Sequence, residues 1–283
     1  MNPRPPSAPK RPVITLLLIC LIALMGYAYF QNPPVGDDDG LASGMPEFSA
    51  PAPPPDGATA MKDLLGADPA QVKADDSGKE SSVLFQQNFD FGPRHYHVAF
   101  IKTRAAGADG QVTDCHACGA QVGAITYQWT GWAWQPVAKQ PEIATLGAWG
   151  DLELTQVPEL LNLSPNSVAF SLDSSYLSQG ISSSGKTLLG FAGKEWRELG
   201  QIRTGGSNAG ACDEDADPRD PAGAGPCWEY TGVVSVATGQ ESDYPDLLVI
   251  RSGTEPAANG AAVIPARNVT YAYDGKAYVA KAP

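Results

Sequence analysis

The sequence predicts an all-β domain, hairpin-rich and either propeller-like or a β-sandwich, held behind an N-terminal transmembrane helix and a disordered linker. Three observations lead there. Val13 to Phe30 is an uncharged apolar run, the stretch after it is dominated by Pro, Ala, Asp and Gly, and the remainder is built of short β-branched and aromatic segments punctuated by turn residues.

The apolar run (13–30) is long enough for a bilayer span, which takes roughly 17 to 25 such residues. Arg4, Lys10 and Arg11 lie before it and Asp37, Asp38 and Asp39 after it. The positive-inside rule therefore leaves residues 1–12 as a cytoplasmic tail and exports the rest. Gly26-Tyr27-Ala28 offers a signal-peptide cleavage point as the alternative, but the proline-rich leader and the length favour an uncleaved anchor in the inner membrane. Cys20 lies inside the span. The C-terminal domain is expected in the periplasm or outside the cell.

Net charge is −12, and because the three leader cations contribute +3 the chain beyond the span carries −15. Such a balance disfavours nucleic acid and anionic lipid as partners, and anionic substrates as well. Residues 31–80 are poor in large apolar side chains and read as a Pro/Ala/Asp-rich linker that cannot bury enough surface to offset its ordering entropy. Within it, Met61, Leu64 and Leu65 fall at helical spacing before Gly66. A helix this short is marginal by itself, so transient structure is expected, with docking to a partner as the alternative.

Residues 81–283 form the exported domain, roughly 200 residues and enough for a full core. Its strand-like segments are HVAFIKT, GAITYQW, DLELTQV, SVAFSL, TLLGF, YTGVVSVA, DLLVI, VTYAY and AYVA. Three of them enter one repeated hairpin form: large residues in alternation, then a glycine, then an aromatic three positions later. The glycines are Gly131, Gly193 and Gly275, and the aromatics Trp134, Trp196 and Tyr278. With two-residue turns ending on the glycine, Tyr127 is expected opposite Trp134, Leu189 opposite Trp196 and Tyr271 opposite Tyr278.

The segment YPDLLVIRSGT (244–254), followed by VTYAYDGKAYV (269–279), resembles the end of a blade in exported bacterial propeller proteins of the FG-GAP or VCBS type. That resemblance implies a propeller and a calcium loop directly before the PDL strand. Only Glu241, Ser242 and Asp243 stand there. TDCHACGAQVGA (113–124) with LGAWGD (146–151) is similar to uncharacterised exported proteobacterial proteins.

Four cysteines follow the span, in two local pairs, Cys115 with Cys118 and Cys212 with Cys227. In an exported chain they are expected as two disulfides. Against this stands a soft-metal reading, copper or zinc, in which His95, His97 and His116 join the first cysteine pair. Cys-x-x-Cys also suits a redox dithiol, although Gly119 and Gly123 follow where such chemistry wants a helix. Asp213, Asp215 and Asp217 have the alternate spacing of a calcium loop, but Pro218 and Ala224 occupy the positions where glycine and a bidentate glutamate belong. Without either metal no cofactor is implied.

Gly180 to Thr187 matches the phosphate-binding loop pattern, yet Gly190 and Gly193 follow instead of a long helix, so a serine-glycine turn is expected. Trp129, Trp132 and Trp134 offer a stacking platform for sugar rings or plain packing. No nucleophile elbow or assignable acid pair appears. The expected function is binding or scaffolding in the cell envelope, with an envelope protein or glycan as partner. The alternative is an exported enzyme, either a metal-dependent oxidoreductase at His95 and His97 or a carbohydrate-active hydrolase.

Overall fold

Strand segments whose neighbours alternate between two buried surfaces dominate the computed structural model, which describes residues 52–66, 78–105, 115–213, 225–257 and 262–281. The expected tail, the expected span and most of the expected linker lie outside these residues. No helix among the described residues is long and apolar enough to cross a membrane. Among the described residues one short helix, α1 (Gly57–Leu65), precedes thirteen strands.

The first sheet is an antiparallel meander of β1 (Lys79–Phe91), β2 (Arg94–Ala105), β3 (Ala120–Trp129) and β4 (Trp134–Leu146). The second runs β5 (Glu159–Ser164), β6 (Ser167–Ser178), β7 (Ile181–Ala192), β8 (Glu195–Ser207), β9 (Glu229–Val236), β10 (Leu247–Pro256), β12 (Val269–Tyr273) and β13 (Tyr278–Ala280), in chain order. The short β11 (Val263–Pro265) pairs beside β10. Both sheets are all-antiparallel, and neither closes into a ring.

Three cores follow from period-two alternation. Tyr96, Val98, Phe100, Val122 and Ala124 of the first sheet meet Val168, Phe170, Leu189, Phe191 and Trp196 of the second. The intervening residues Ala99, Ile101, Ile125 and Tyr127 point to the other face, where Ala60, Met61 and Leu64 of α1 cover them. In the second sheet, Leu163, Ala169 and Leu188 share a core with Leu199, Leu247, Val249 and Tyr278, so the sheet curls back over itself. Two register shifts along β8, opposite Ser184/Gly185 and Thr187/Leu189, supply local bends of the kind bulges produce.

Trp196 joins the two sheets. Its ring is buried, 4.8 Å from those of Phe100 and Phe191, and its Nε1 donates to Thr126 Oγ1 at 2.7 Å. Gln140 of β4 accepts from the Trp196 amide at 2.6 Å and donates to its carbonyl at 3.0 Å, as a neighbouring strand would.

Several expectations need correction. The segment 57–65 is not transient structure in a linker. Asp56 caps it by accepting from Thr59 N–H at 2.8 Å, Gly66 ends it at φ 75°, and its apolar side is buried on the first sheet. A tertiary surface thus stabilises a helix too short to stand alone. Asp151 to Val157 (DLELTQV) is not a strand beyond an isolated bridge from Asp151 to Ala148. Asp151 is engaged instead by Lys102 at 2.6 Å, by Arg104 at 3.2 Å and by the Leu152 amide.

The repeated hairpins exist, but each turn lies one residue further along than expected. Trp129 opposes Trp134, Phe191 opposes Trp196 and Tyr273 opposes Tyr278. Tyr127, Leu189 and Tyr271 instead face Pro136, Glu198 and Ala280. The reason is that glycine takes the first central position. Gly275 sits at φ 99° while Asp274 Oδ1 accepts from the Lys276 and Ala277 amides at 2.8 Å, and Gly193 at φ 59° is followed by Lys194 at φ 69°. The shift brings aromatic rings into direct pairs, 5.5, 4.8 and 5.8 Å apart.

Replacing Leu64 by Ala should lower unfolding free energy by about 2–5 kcal/mol through the cavity left under α1. The denaturant midpoint of the full chain measures this, and an unchanged midpoint would mean that α1 does not belong to the folded unit.

Candidate binding trough

Beyond Leu172, the last β6 residue in the core between the sheets, β6 and β7 continue as a serine-rich hairpin. Their register is unbroken, so Ser174 and Tyr176 of β6 project on the same side as Phe170 and Leu172, and Ser183 and Gly185 of β7 lie opposite them. Serine and glycine contribute too little apolar surface for a second layer to cover them. The result is an open trough.

It has two adjoining compartments, of about 290 and about 240 Å³, that share Tyr176, Ser183 and Arg203. Each alone falls just below the roughly 300 Å³ at which ligand pockets begin, and the two adjoin at Arg203. The first adds Ser182, Gly206, Trp228 and Tyr230. The second adds Ser174, Ser184, Gly185 and Gln201, with Gln201 Nε2 donating to Ser174 Oγ at 2.5 Å.

The aromatic wall is tightly held. Asn208, buried, accepts from the Trp228 amide through Oδ1 at 2.7 Å and donates through Nδ2 to Pro226 O at 3.0 Å. Trp228 stacks on Tyr230 at 6.0 Å between centroids, and the Arg251 guanidinium lies 4.6 Å over the far ring. Gly206 permits this, because a Cβ there would stand 3.1 Å from Trp228 Cζ3. Gly210 N–H donates to Gly180 O at 3.1 Å and pins the tip of the β6–β7 hairpin to the turn that leads to Cys212.

Cys115–Cys118 and Cys212–Cys227 are both disulfides, with Cα separations of 5.3 and 5.0 Å. The second staples the chain directly before Trp228. The first closes a turn ahead of β3, whose carbonyls at His116 and Cys118 accept from the Trp149 and Gly150 amides.

The three histidines are not brought together. His95 is exposed and pairs with Asp90 at 2.8 Å. His116 packs edge-on against Trp149 beside the first disulfide. His97 is 4% exposed, with Nδ1 2.7 Å from Asn88 Oδ1 and Nε2 3.0 Å from Gln86 Nε2. Those partners fit a neutral ring that donates from Nδ1 and accepts at Nε2. His97 pairs with Tyr127, whereas β3 begins near the Thr103 end of β2, so roughly 20 Å of strand separates His97 from the His116 turn. Both cysteines beside His116 are oxidised, so the soft-metal arrangement is not assembled. Among the described residues no three His, Cys, Asp or Glu side chains gather as a metal site.

Asp213 is exposed, while Asp215 and Asp217 lie outside the described residues. The loop-like match at Gly180–Thr187 falls on the turn into β7 and on that strand, with no helix after it. Trp129 and Trp134 pair across their hairpin, with Trp134 Nε1 donating to Ala52 O at 2.7 Å. Trp132, 79% exposed, stands apart at the turn, so the three tryptophans do not share one face.

The trough itself was not identified from sequence. Its signal was there in SSSG (182–185) and TGGS (204–207), serine and glycine at strand positions where a covered sheet would place apolar residues. Comparison of the chain with protein-family models, with curated proteins and with solved structures found no match.

Burial, only partly offset by the nearby Pro55 carbonyl, pushes the His97 pKa below its ordinary 6.5. The folded state therefore favours the neutral ring, and the unfolded state binds more protons just beneath pH 6.5. Stability should rise with pH through that interval and level off above it, and His97→Gln should flatten the slope in chemical denaturation run at stepped pH. An unaltered slope in the variant would assign it to other groups. Replacing Cys212 and Cys227 together by serine should remove about 3 kcal/mol of stability and broaden the near-ultraviolet signal of Trp228.

Proposed function

We propose that this chain is a membrane-tethered binding protein of the cell envelope, in which a two-sheet β-sandwich holds a hydroxyl-rich ligand, a glycan, in the serine-aromatic trough. The observation that carries the reading is the composition of that trough. Serine hydroxyls both donate and accept, as sugar hydroxyls require. Tyr176 and Trp228 offer apolar faces with polar edges, suited to the flat C–H faces of a sugar ring, and Tyr230, buried between Trp228 and Arg251, backs the tryptophan. The described lining contains no carboxylate, histidine or thiol to move a proton or attack a bond, which favours binding over turnover.

The tether is residues 13–30, and its flanking charges favour an inner-membrane, single-pass chain with the N-terminus in the cytoplasm. Two disulfides agree with an oxidising compartment. Protease protection of a C-terminal tag in intact cells tests this topology.

The binding reading is tested by calorimetry of the full-length chain against a panel of envelope oligosaccharides. Trp228→Ala or Tyr176→Ala should weaken binding about 2- to 12-fold by loss of one stacked face, while Trp132→Ala leaves it unchanged. If Trp132→Ala is the variant that loses binding, the ligand sits at the β3–β4 turn and the trough reading fails.

A further inference from the structure

Arg203 lines both compartments of the trough, so a ligand that fills them passes its guanidinium. Its setting differs from that of four other arginines in this acidic chain, although Arg94, exposed at the start of β2, makes no ion pair among the described residues either. Arg104 meets Glu80 at 2.6 Å, Arg197 meets Glu195 at 2.6 Å, Arg251 meets Glu255 at 3.4 Å and Arg267 meets Glu255 at 2.8 Å. Arg203 makes no ion pair among the described residues, although the chain carries a net charge of −12.

Its backbone is nonetheless fixed. The amide donates to Tyr271 Oη at 3.2 Å and the carbonyl accepts from Arg251 at 3.3 Å. A rigid strand position therefore presents a cation without a counter-charge, in a trough whose described lining has no acid.

We propose that Arg203 makes the trough selective for sugars bearing a carboxylate, that is, for an acidic glycan of the uronate type. The proposal rests on the glycan reading of this site. A guanidinium matches a carboxylate through two parallel N–H donors, a geometry that lysine cannot reproduce. The serines and aromatic faces on either side of Arg203 then serve the hydroxyls and ring faces of the same sugar. Phosphate is the poorer fit. Phosphate sites draw on a nest of free backbone amides or on several cations, whereas the amides here belong to paired strands and the lining holds one cation.

The test uses the full-length chain and matched ligands, namely di- and trisaccharides of galacturonate and glucuronate, each beside its uncharged methyl ester. The wild type should bind the acids about 10- to 100-fold more tightly than the esters, the span expected of hydrogen bonds to a charged group. Arg203→Gln should erase that preference by lowering acid binding to the level of the ester, and Arg203→Lys should restore only part of it. Equal binding of acid and ester by the wild type would overturn the inference and leave the glycan trough standing. A preference that survives in Arg203→Gln would overturn it by placing the cation elsewhere. Loss of both ligands in that variant would overturn it by making Arg203 a support of the trough's shape. No binding of either ligand by the wild type would overturn the glycan reading and the inference with it.

Discussion

The contact between Trp196 and the first sheet is the constraint on which the remaining architecture depends. A buried indole needs a partner for its N–H, and Thr126 Oγ1 supplies one at 2.7 Å from the opposite sheet. Gln140 fixes the depth and direction of that contact by satisfying both backbone groups of Trp196. Phe89 and Phe100 edge-on, Phe191 tilted and Phe170 stacked then fill the space around the ring. Two twisted sheets could slide against each other over a purely apolar interface, but a hydrogen-bonded indole at its centre specifies one registration.

That registration has a consequence at the trough. The core between the sheets ends at Leu172 on β6, and the serine-rich continuation of β6 and β7 is left uncovered. The second disulfide acts at the same place. By stapling the chain one residue before Trp228, with Asn208 bonding both sides of that position, it turns a surface loop into a fixed aromatic wall. The glycan reading therefore depends on where one sheet stops covering the other as much as on which side chains line the gap.

The first sheet is closed on its far side by α1. Met61 and Leu64 insert over Ala99, Ile101 and Ile125. The Tyr127 hydroxyl donates to Asp63 at 2.8 Å and Lys139 donates to the Asp63 carbonyl. Burial, and then that carboxylate, hold the Tyr127 phenol protonated far above its ordinary range. Beside them Gln86 makes a separate link, reaching both His97 Nε2 and the Pro55 carbonyl ahead of the helix. Residues that composition assigns to a spacer thus complete a core.

The all-β class, the two cysteine pairings and the three aromatic hairpins were legible in the sequence, because alternation, sequence-local cysteines and glycine turns are short-range signals carried by neighbouring residues. Hairpin register was not, since the position of glycine within a turn depends on whether Asp274 or Lys194 completes the local geometry. The docking of α1 escaped for a different reason: nine residues cannot stabilise a helix, and only the sheet face presented by distant strands makes Gly57–Leu65 stable. Nor could spacing reveal that His116 lies far from His97, or that Ser183, Arg203 and Trp228 line one trough. Those relations are distances between segments far apart in the chain, and they exist only once two sheets have met around Trp196.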